Sequence, residues 1–244
     1  MSDNVWIRPY KLSWLEWLAV KVIQQGRVPR HIAVIMDGNR RFAKQSGDEV
    51  ISGHKAGFEK LAETLQWCRE VGVREVTVYA FSIENFNRAE QEVSDLLNLA
   101  REKFVKLLDE SEKLKEVKDK NKNTFKHLST DIIQAGVKVR ILGNLSYLPQ
   151  DLREVIEQVE EATADNTASL LNIALSYTAR EEITHAVKKV AEMINRGDIS
   201  EHDVSVDTID EHLYTRDSPP PDLMIRTSGE TRLSDFMLWQ ASKR

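Results

Sequence analysis

Ile32-Ala33-Val34-Ile35-Met36-Asp37-Gly38-Asn39-Arg40-Arg41 passes in one step from an unbroken apolar run to a carboxylate, a glycine, an amide and two guanidiniums. The run reads as a buried strand. In open α/β sheets ligands sit in the crevice outside the carboxyl ends of the strands, which is where the polar cluster falls if this strand is parallel and central. A carboxylate beside two arginines can hold a hard cation while the guanidiniums take phosphate oxygens in paired hydrogen bonds. Gly38 lets the backbone come close to a ligand. Asp-Gly-Asn is also ordinary turn chemistry and paired arginines are often only solvated, so these residues alone leave a surface turn open.

Working outward, the chain alternates. A helix is predicted over about residues 54–71, where Phe58, Leu61, Leu65 and Cys68 form one apolar stripe. A strand follows at Glu75–Phe81, then a long helix from about Gln91 with Val93, Leu96, Leu97, Ala100, Phe104, Leu107 and Leu108 at spacings of three and four. Core packing explains that face, and a hydrophobic channel would use the same pattern. Further strands are predicted at Val137–Gly143, Ser169–Leu175 and Leu223–Ile225. Between them lie a helix at 150–162, a helix carrying Ile183, Val187, Val190 and Ile194, and a short helix near Ile209. This is the βαβ signature of a parallel sheet, in a single domain without a Pro/Gly/Ser-rich linker or repeat.

Thirty-four Lys+Arg against 39 Asp+Glu give a net charge of −5, which argues against a general nucleic-acid binder. The lone Cys68 excludes an internal disulfide and a cysteine-rich metal motif. No apolar stretch approaches the roughly 20 residues that span a bilayer. The amino-terminal Trp6, Ile7, Tyr10, Trp14, Leu15, Trp17, Leu18, Val22 and Ile23, interspersed with Arg8, Lys11 and Lys21, suit an amphipathic helix lying in a membrane interface; packing on the domain's own core is the alternative. Asp119-Lys120-Asn121-Lys122-Asn123 imitates a calcium loop, but Thr124 and Thr130 stand where the glycine and the bidentate glutamate belong, so the tract reads as a solvated, mobile insertion.

Two more strand ends are dense in polar groups: Ser82-Ile83-Glu84-Asn85-Phe86-Asn87-Arg88 and Arg226-Thr227-Ser228-Gly229-Glu230-Thr231-Arg232-Leu233-Ser234. Gly53-His54, at an expected helix start, adds a donor where backbone amides favour phosphate. His54 or Arg226 alone would be ordinary surface residues. Their convergence on one sheet edge makes the case for an anion site.

The blocks Met36–Lys44, Gly53-His54, Tyr79–Phe86 and Ile225–Glu230 through Trp239-Gln240 resemble, in order, the signature blocks of the cis-prenyltransferase (undecaprenyl diphosphate synthase-like) family. Trp6-Ile7 and Arg40-Arg41 resemble the eukaryotic dehydrodolichyl diphosphate synthase catalytic-subunit branch in particular. The resemblance implies a parallel six-stranded sheet surrounded by helices, with a hydrophobic tunnel for the growing chain. Its implied activity is addition of isopentenyl diphosphate units to farnesyl diphosphate, giving long polyprenyl diphosphates for dolichol synthesis and protein glycosylation. It further implies Mg²⁺ as cofactor, a homo- or heterodimer with a Nogo-B receptor-like partner, and a peripheral location on the cytosolic face of the endoplasmic reticulum membrane.

Carried over residue by residue, Asp37 matches the magnesium-binding aspartate, and Gly38, Arg40, Arg41 and His54 match the allylic diphosphate ligands. Arg226, Arg232 and Ser234 match the isopentenyl diphosphate site. Asn85 matches the asparagine that assists proton removal, and Asn39, Phe42, Ser82, Glu84, Phe86 and Arg88 line the same region. Trans-type prenyltransferases rely on Asp-Asp-x-x-Asp motifs, absent here. The chain departs from the pattern at Val50, where many relatives have arginine, in the long 115–134 tract, and in stopping at Ala241-Ser242-Lys243-Arg244, where relatives continue into a further strand. The expected division is an amphipathic segment over 1–27 and a transferase domain over 28–244 lacking its last strand. An impaired isoform or binding-only subunit is the alternative.

Overall fold

The computed structural model describes residues 12–120 and 135–243. The tryptophan-rich segment through Lys11 and the polar tract from Asn121 to Gln134, which holds most of the calcium-like pattern, lie outside them. In chain order the elements are α1 (Trp14–Gln24), β1 (His31–Ile35), α2 (Asn39–Ser46), α3 (Val50–Val71), β2 (Glu75–Ser82), a 3-10 turn (Ile83–Asn87), α4 (Glu90–Lys120), β3 (Val137–Leu142), α5 (Gln150–Ala162), β4 (Ser169–Tyr177), α6 (Ala179–Arg196), α7 (Val206–Asp210), β5 (Leu223–Arg226) and α8 (Leu238–Ala241).

All strand pairs are parallel, in the order β3-β4-β2-β1-β5, so β1 is flanked on both sides. Side chains alternate across a strand, and both faces of β1 are buried. Ile32 and Val34 enter the main core with Leu61, Leu65, Phe104, Leu107, Ile156 and Val159 of α3, α4 and α5. Ala33 and Ile35 join Tyr177, Phe236 and Met237 on the other side. Covering both faces requires an unbroken apolar run rather than alternation, which is why this strand was legible. The expected α/β parallel sheet is present with five strands among the described residues, and β5 forms an edge.

Three local details depart from the sequence reading. α2 was not foreseen: it buries only Ala43, so it has almost no apolar periodicity, and glycines in the left-handed region flank it at 38 and 47. α3 starts at Val50, which puts His54 in the second turn rather than at the amino terminus, so its backbone amide is not an anion donor. α6 buries Ala179, Glu182, Ala186 and Val190 while Val187 is exposed. Glu182 is drawn inward by the donors it accepts from, namely Tyr177 Oη (2.6 Å), Thr215 N (3.1 Å) and Gln240 Nε2 (2.9 Å).

Candidate active site at the carboxyl ends of the strands

β1 ends at Ile35, and Asp37 is held immediately beyond it. Arg226 Nη2, from the end of neighbouring β5, donates to Asp37 Oδ2 at 2.7 Å, and Gly38 N donates to Oδ1 at 2.7 Å. The Asp37 carbonyl accepts from the hydroxyls of Thr227 (2.6 Å) and Ser228 (2.8 Å). Burial works to raise the Asp37 carboxyl, but the Arg226 hydrogen bond, the Gly38 amide and the charges of Arg226 and Arg41 prevail and hold it below the ordinary carboxylate value. Gly38 sits at φ +93°, and a Cβ there would lie 1.8 Å from Ser228 Oγ. The close approach this glycine permits is therefore to the 228 loop of the protein itself.

That loop is bent hard. Ser228, Ser234, Asp235 and Met237 all take positive φ without being glycine. Such residues cost of order 1–3 kcal/mol each and persist only where surroundings hold them. Here the start of α6 does so: Ala179 N donates to the Asp235 carbonyl (2.7 Å), and Arg180 Nε to Asp235 Oδ2 (2.7 Å). Arg226 Nη1 completes the brace on the Arg232 carbonyl and on Ser234 Oγ (2.6 Å).

The opposite wall comes from α2, α3 and the turn after β2. Ser82 N donates to Asn85 Oδ1 (3.0 Å), fixing the Asn85 carboxamide, and Glu84 N donates to Ser82 Oγ (3.2 Å). A small register shift where β2 meets β4, between Tyr79 and Ser82, re-aims this strand end. Asn39 packs against Gly53 and Gly57, where a Cβ would meet its atoms at 2.2 and 2.6 Å, so α2 is seated tightly on α3. Arg88 Nη1 lies 2.8 Å, and Arg40 Nη1 3.9 Å, from Glu92. His54 is pushed below its ordinary value by burial first and by Arg88 next, with Glu92 opposing and Arg40 adding to the fall. Its Nε2 is buried without a hydrogen-bond partner, as is Arg226 Nε.

Between these walls opens a cavity of about 580 Å³. Asp37, Asn39, Arg40, His54, Ser82, Glu84, Asn85, Arg88, Arg226, Arg232 and Ser234 line it, and its depth is apolar, with Phe58, Leu61, Phe81, Leu96 and Phe104 among its walls. Four candidates stand outside that wall. Gly38 faces Ser228; Arg41 reaches the Ser228 carbonyl (3.3 Å) and Glu230 (3.5 Å); Phe42 is exposed; Phe86 packs its ring on Phe81, centroids 4.9 Å apart. Conversely, Tyr79, Lys103, Arg180 and Asp235 line the cavity without having been singled out. Arg180 opens a helix after a buried strand, the same signal that marked Asp37. Tyr79 and Asp235 carried no such signal.

The comparisons with known proteins agree with this architecture. Residues 35–244 match the undecaprenyl diphosphate synthase family of prenyltransferases. The human dehydrodolichyl diphosphate synthase complex subunit is 48% identical over 97% of this chain, which spans 66% of that relative's length. An archaeal relative from Methanocaldococcus jannaschii, a tritrans,polycis-undecaprenyl-diphosphate synthase specific for geranylgeranyl diphosphate, is 40% identical, covering 95% of this chain and 76% of its own. Among solved structures, lavandulyl diphosphate synthase from Lavandula x intermedia in complex with dimethylallyl diphosphate has a TM-score of 0.74 at 30% identity, covering 87% of this chain and 83% of that one. The chain belongs to the undecaprenyl diphosphate synthase family, the cis-prenyltransferases.

Proposed function

We propose that the chain is a cis-prenyltransferase that extends farnesyl diphosphate with isopentenyl diphosphate into long polyprenyl diphosphates of the dolichol pathway. The observation that carries this reading is one cavity with a cationic, hydrogen-bonding mouth and an apolar depth, which matches a ligand with a diphosphate head and a hydrocarbon tail. Arg40, His54 and Arg88 would take the allylic diphosphate, with Arg41 and the backbone at Gly38 close by. Arg226, Arg232 and Ser234 would take the homoallylic one. As the allylic carbon–oxygen bond breaks, the departing charge is met by the guanidiniums at the mouth. The terminal carbon of isopentenyl diphosphate bonds to the allylic carbon as the allylic diphosphate departs with the electron pair of the broken bond, and the proton lost from C2 passes to an oxygen of that diphosphate beside the carboxamide of Asn85, whose orientation Ser82 holds.

A single carboxylate at a strand end fits Mg²⁺, which usually binds through one or two carboxylates plus substrate phosphates and retained waters. Asp37 would hold it, and when bound the ion neutralises the leaving diphosphate. Prenyl transfer from radiolabelled isopentenyl diphosphate to farnesyl diphosphate tests the reading. Wild type incorporates label and Asp37→Ala abolishes it with the fold intact; equal turnover by the variant at saturating Mg²⁺ removes Asp37 from the role.

The same reading includes residues 1–27 as an amphipathic appendage to a transferase domain, on the cytosolic face of the endoplasmic reticulum membrane. No helix among the described residues is long and apolar enough to cross a membrane. α1 buries none of its residues, and Trp14, Leu15, Trp17, Leu18, Val22 and Ile23 are exposed, which suits an interfacial helix better than one packed on its own core. Deleting residues 1–24 lowers co-sedimentation with liposomes; unchanged sedimentation reduces α1 to packing. A partner subunit is supported by the human relative's designation as a complex subunit; the reading takes that partner to be Nogo-B receptor-like, and adding such a protein raises turnover if the assignment holds.

A further inference from the structure

We propose that Arg180 is a positioning residue for the condensation: it fixes the distance between the Asn85 turn and the Ser234 loop, and so between the carboxamide beside the departing C2 proton and the site that holds the diphosphate of the same molecule. The inference rests on the transferase reading and assigns a role to a residue that this reading leaves unused.

Arg180 stands where a cation is not expected. It is the second residue of α6, in the first turn, where the helix dipole favours carboxylates such as Glu181 and Glu182. Its guanidinium instead spans two carboxylates from distant parts of the chain. Nε donates to Asp235 Oδ2 (2.7 Å) and the backbone N of Arg180 to Asp235 Oδ1 (3.2 Å), while Nη2 donates to Glu84 Oε1 (3.1 Å). Asp235 directly follows Ser234, and Glu84 directly precedes Asn85. All three side chains line the cavity.

The sheet does not make this connection. β2 leads into the Asn85 turn and β5 into the Ser234 loop, and β1 lies between the two strands. Arg226 joins Asp37, beyond β1, to Ser234 Oγ, and Arg180 joins the neighbour of Ser234 to the neighbour of Asn85. Tyr79 Oη adds a tie to the Ser234 carbonyl (3.3 Å), but that is a neutral bond shared with the Tyr177 carbonyl (3.1 Å), whereas Arg180 makes charge-assisted bonds from a rigid fork. Ser234 and Asp235 both take positive φ, so the loop keeps its shape only through what holds it. The Arg180 side chain is 72% exposed, and ion pairs at such a position add little to stability. A misplacement of reacting groups by about 1 Å, in contrast, costs about 100-fold in rate. The effect of Arg180 therefore falls on geometry rather than on folding.

The test is single-turnover prenyl transfer by the full chain in Mg²⁺ and farnesyl diphosphate, with isopentenyl diphosphate carrying either protium or deuterium at C2. Arg180→Ala lowers the rate of transfer by about 10- to 100-fold. It also raises the C2 isotope effect above that of wild type, because proton removal becomes the step that poor alignment delays. Calorimetric affinity for farnesyl diphosphate and the urea midpoint stay near wild type. Glu84→Ala gives the same loss, and the double variant loses no more than either single one, since all three cut one strut. Arg180→Lys, whose ammonium lacks the fork that reaches both carboxylates, recovers part of the rate. A wild-type rate or an unchanged isotope effect in Arg180→Ala overturns the proposal, as does a double variant whose loss is the product of the two single losses. A urea midpoint that falls along with the rate makes Arg180 a structural residue and overturns it too. If wild type transfers no prenyl group at all, the transferase reading fails and this inference with it.

Discussion

Charged groups occupy both ends of the central strands, and the two ends are built in opposite ways. Towards the amino ends, Glu75 of β2 accepts from Asn172 Nδ2 (2.6 Å) and from the Ser218 hydroxyl, with Arg140 at 3.7 Å. Arg140 itself donates to Asn172 Oδ1 (2.9 Å) and the Arg216 carbonyl (2.9 Å), while His31 bridges the Pro219 carbonyl and Thr77 Oγ1, both at 2.7 Å. Nearly every polar atom there has a protein partner, and His31, Thr77 and Asn172 are fully buried. At the carboxyl ends, Arg40, Arg41 and Arg232 remain largely exposed, and His54 Nε2 and Arg226 Nε are buried without partners. A completed network holds the 216–219 loop to the sheet. An incomplete one is a place for a ligand to supply what is missing.

That contrast is sharpest for two arginines. Arg140→Ala leaves the Glu75 carboxylate buried without its cation, and is expected to cost about 3 kcal/mol of stability while leaving diphosphate affinity unchanged in the folded protein; urea unfolding and calorimetry read the two quantities separately. Arg232→Ala, at a largely exposed side chain, should do the reverse. The requirement for isopentenyl diphosphate rises by roughly 2 kcal/mol in kcat/KM, with a much smaller change in stability. If farnesyl diphosphate binding suffers instead, the two diphosphate positions are exchanged.

Gly38→Ala comes next in size. It combines a φ of +93° with a collision against Ser228, so a loss of about 1–3 kcal/mol is expected together with weaker binding of both substrates. Wild-type stability and affinity in this variant would mean that the 228 loop is not held where it is described. The smallest effect concerns His54. Its folded-state value is lowered from the ordinary 6.5, so the unfolded chain binds the proton more readily, and stability falls as pH drops through 6.5 towards the folded value. His54→Gln should flatten that part of the pH profile of the urea midpoint.

Much of the fold was legible because its strands are buried on both faces: continuous apolar runs such as Ile32–Met36 allow few other readings. α2 was not, because a helix that buries one alanine leaves no periodic trace. Convergence of the strand ends followed from parallel topology alone, which is why eleven of the candidate residues line one cavity. The completed network was missed because its members are scattered over β1, β2, β3, β4 and the 216–219 loop. Asn172, in the middle of an apolar strand, was its one outward sign. Neither the positive-φ loop of Ser228–Met237 nor the role of Arg180 in holding Asp235 is encoded in any local pattern. Both depend on a neighbour distant in the chain.

The central claim, that the unfinished polar rim is a diphosphate site organised around Asp37, is tested most directly by titrating farnesyl diphosphate into wild type and Asp37→Asn with and without Mg²⁺. Wild type is predicted to bind more tightly with the ion, and Asp37→Asn to lose that Mg²⁺-dependent increment while unfolding at nearly the same urea concentration. An undiminished Mg²⁺-dependent increment in the variant would contradict the account.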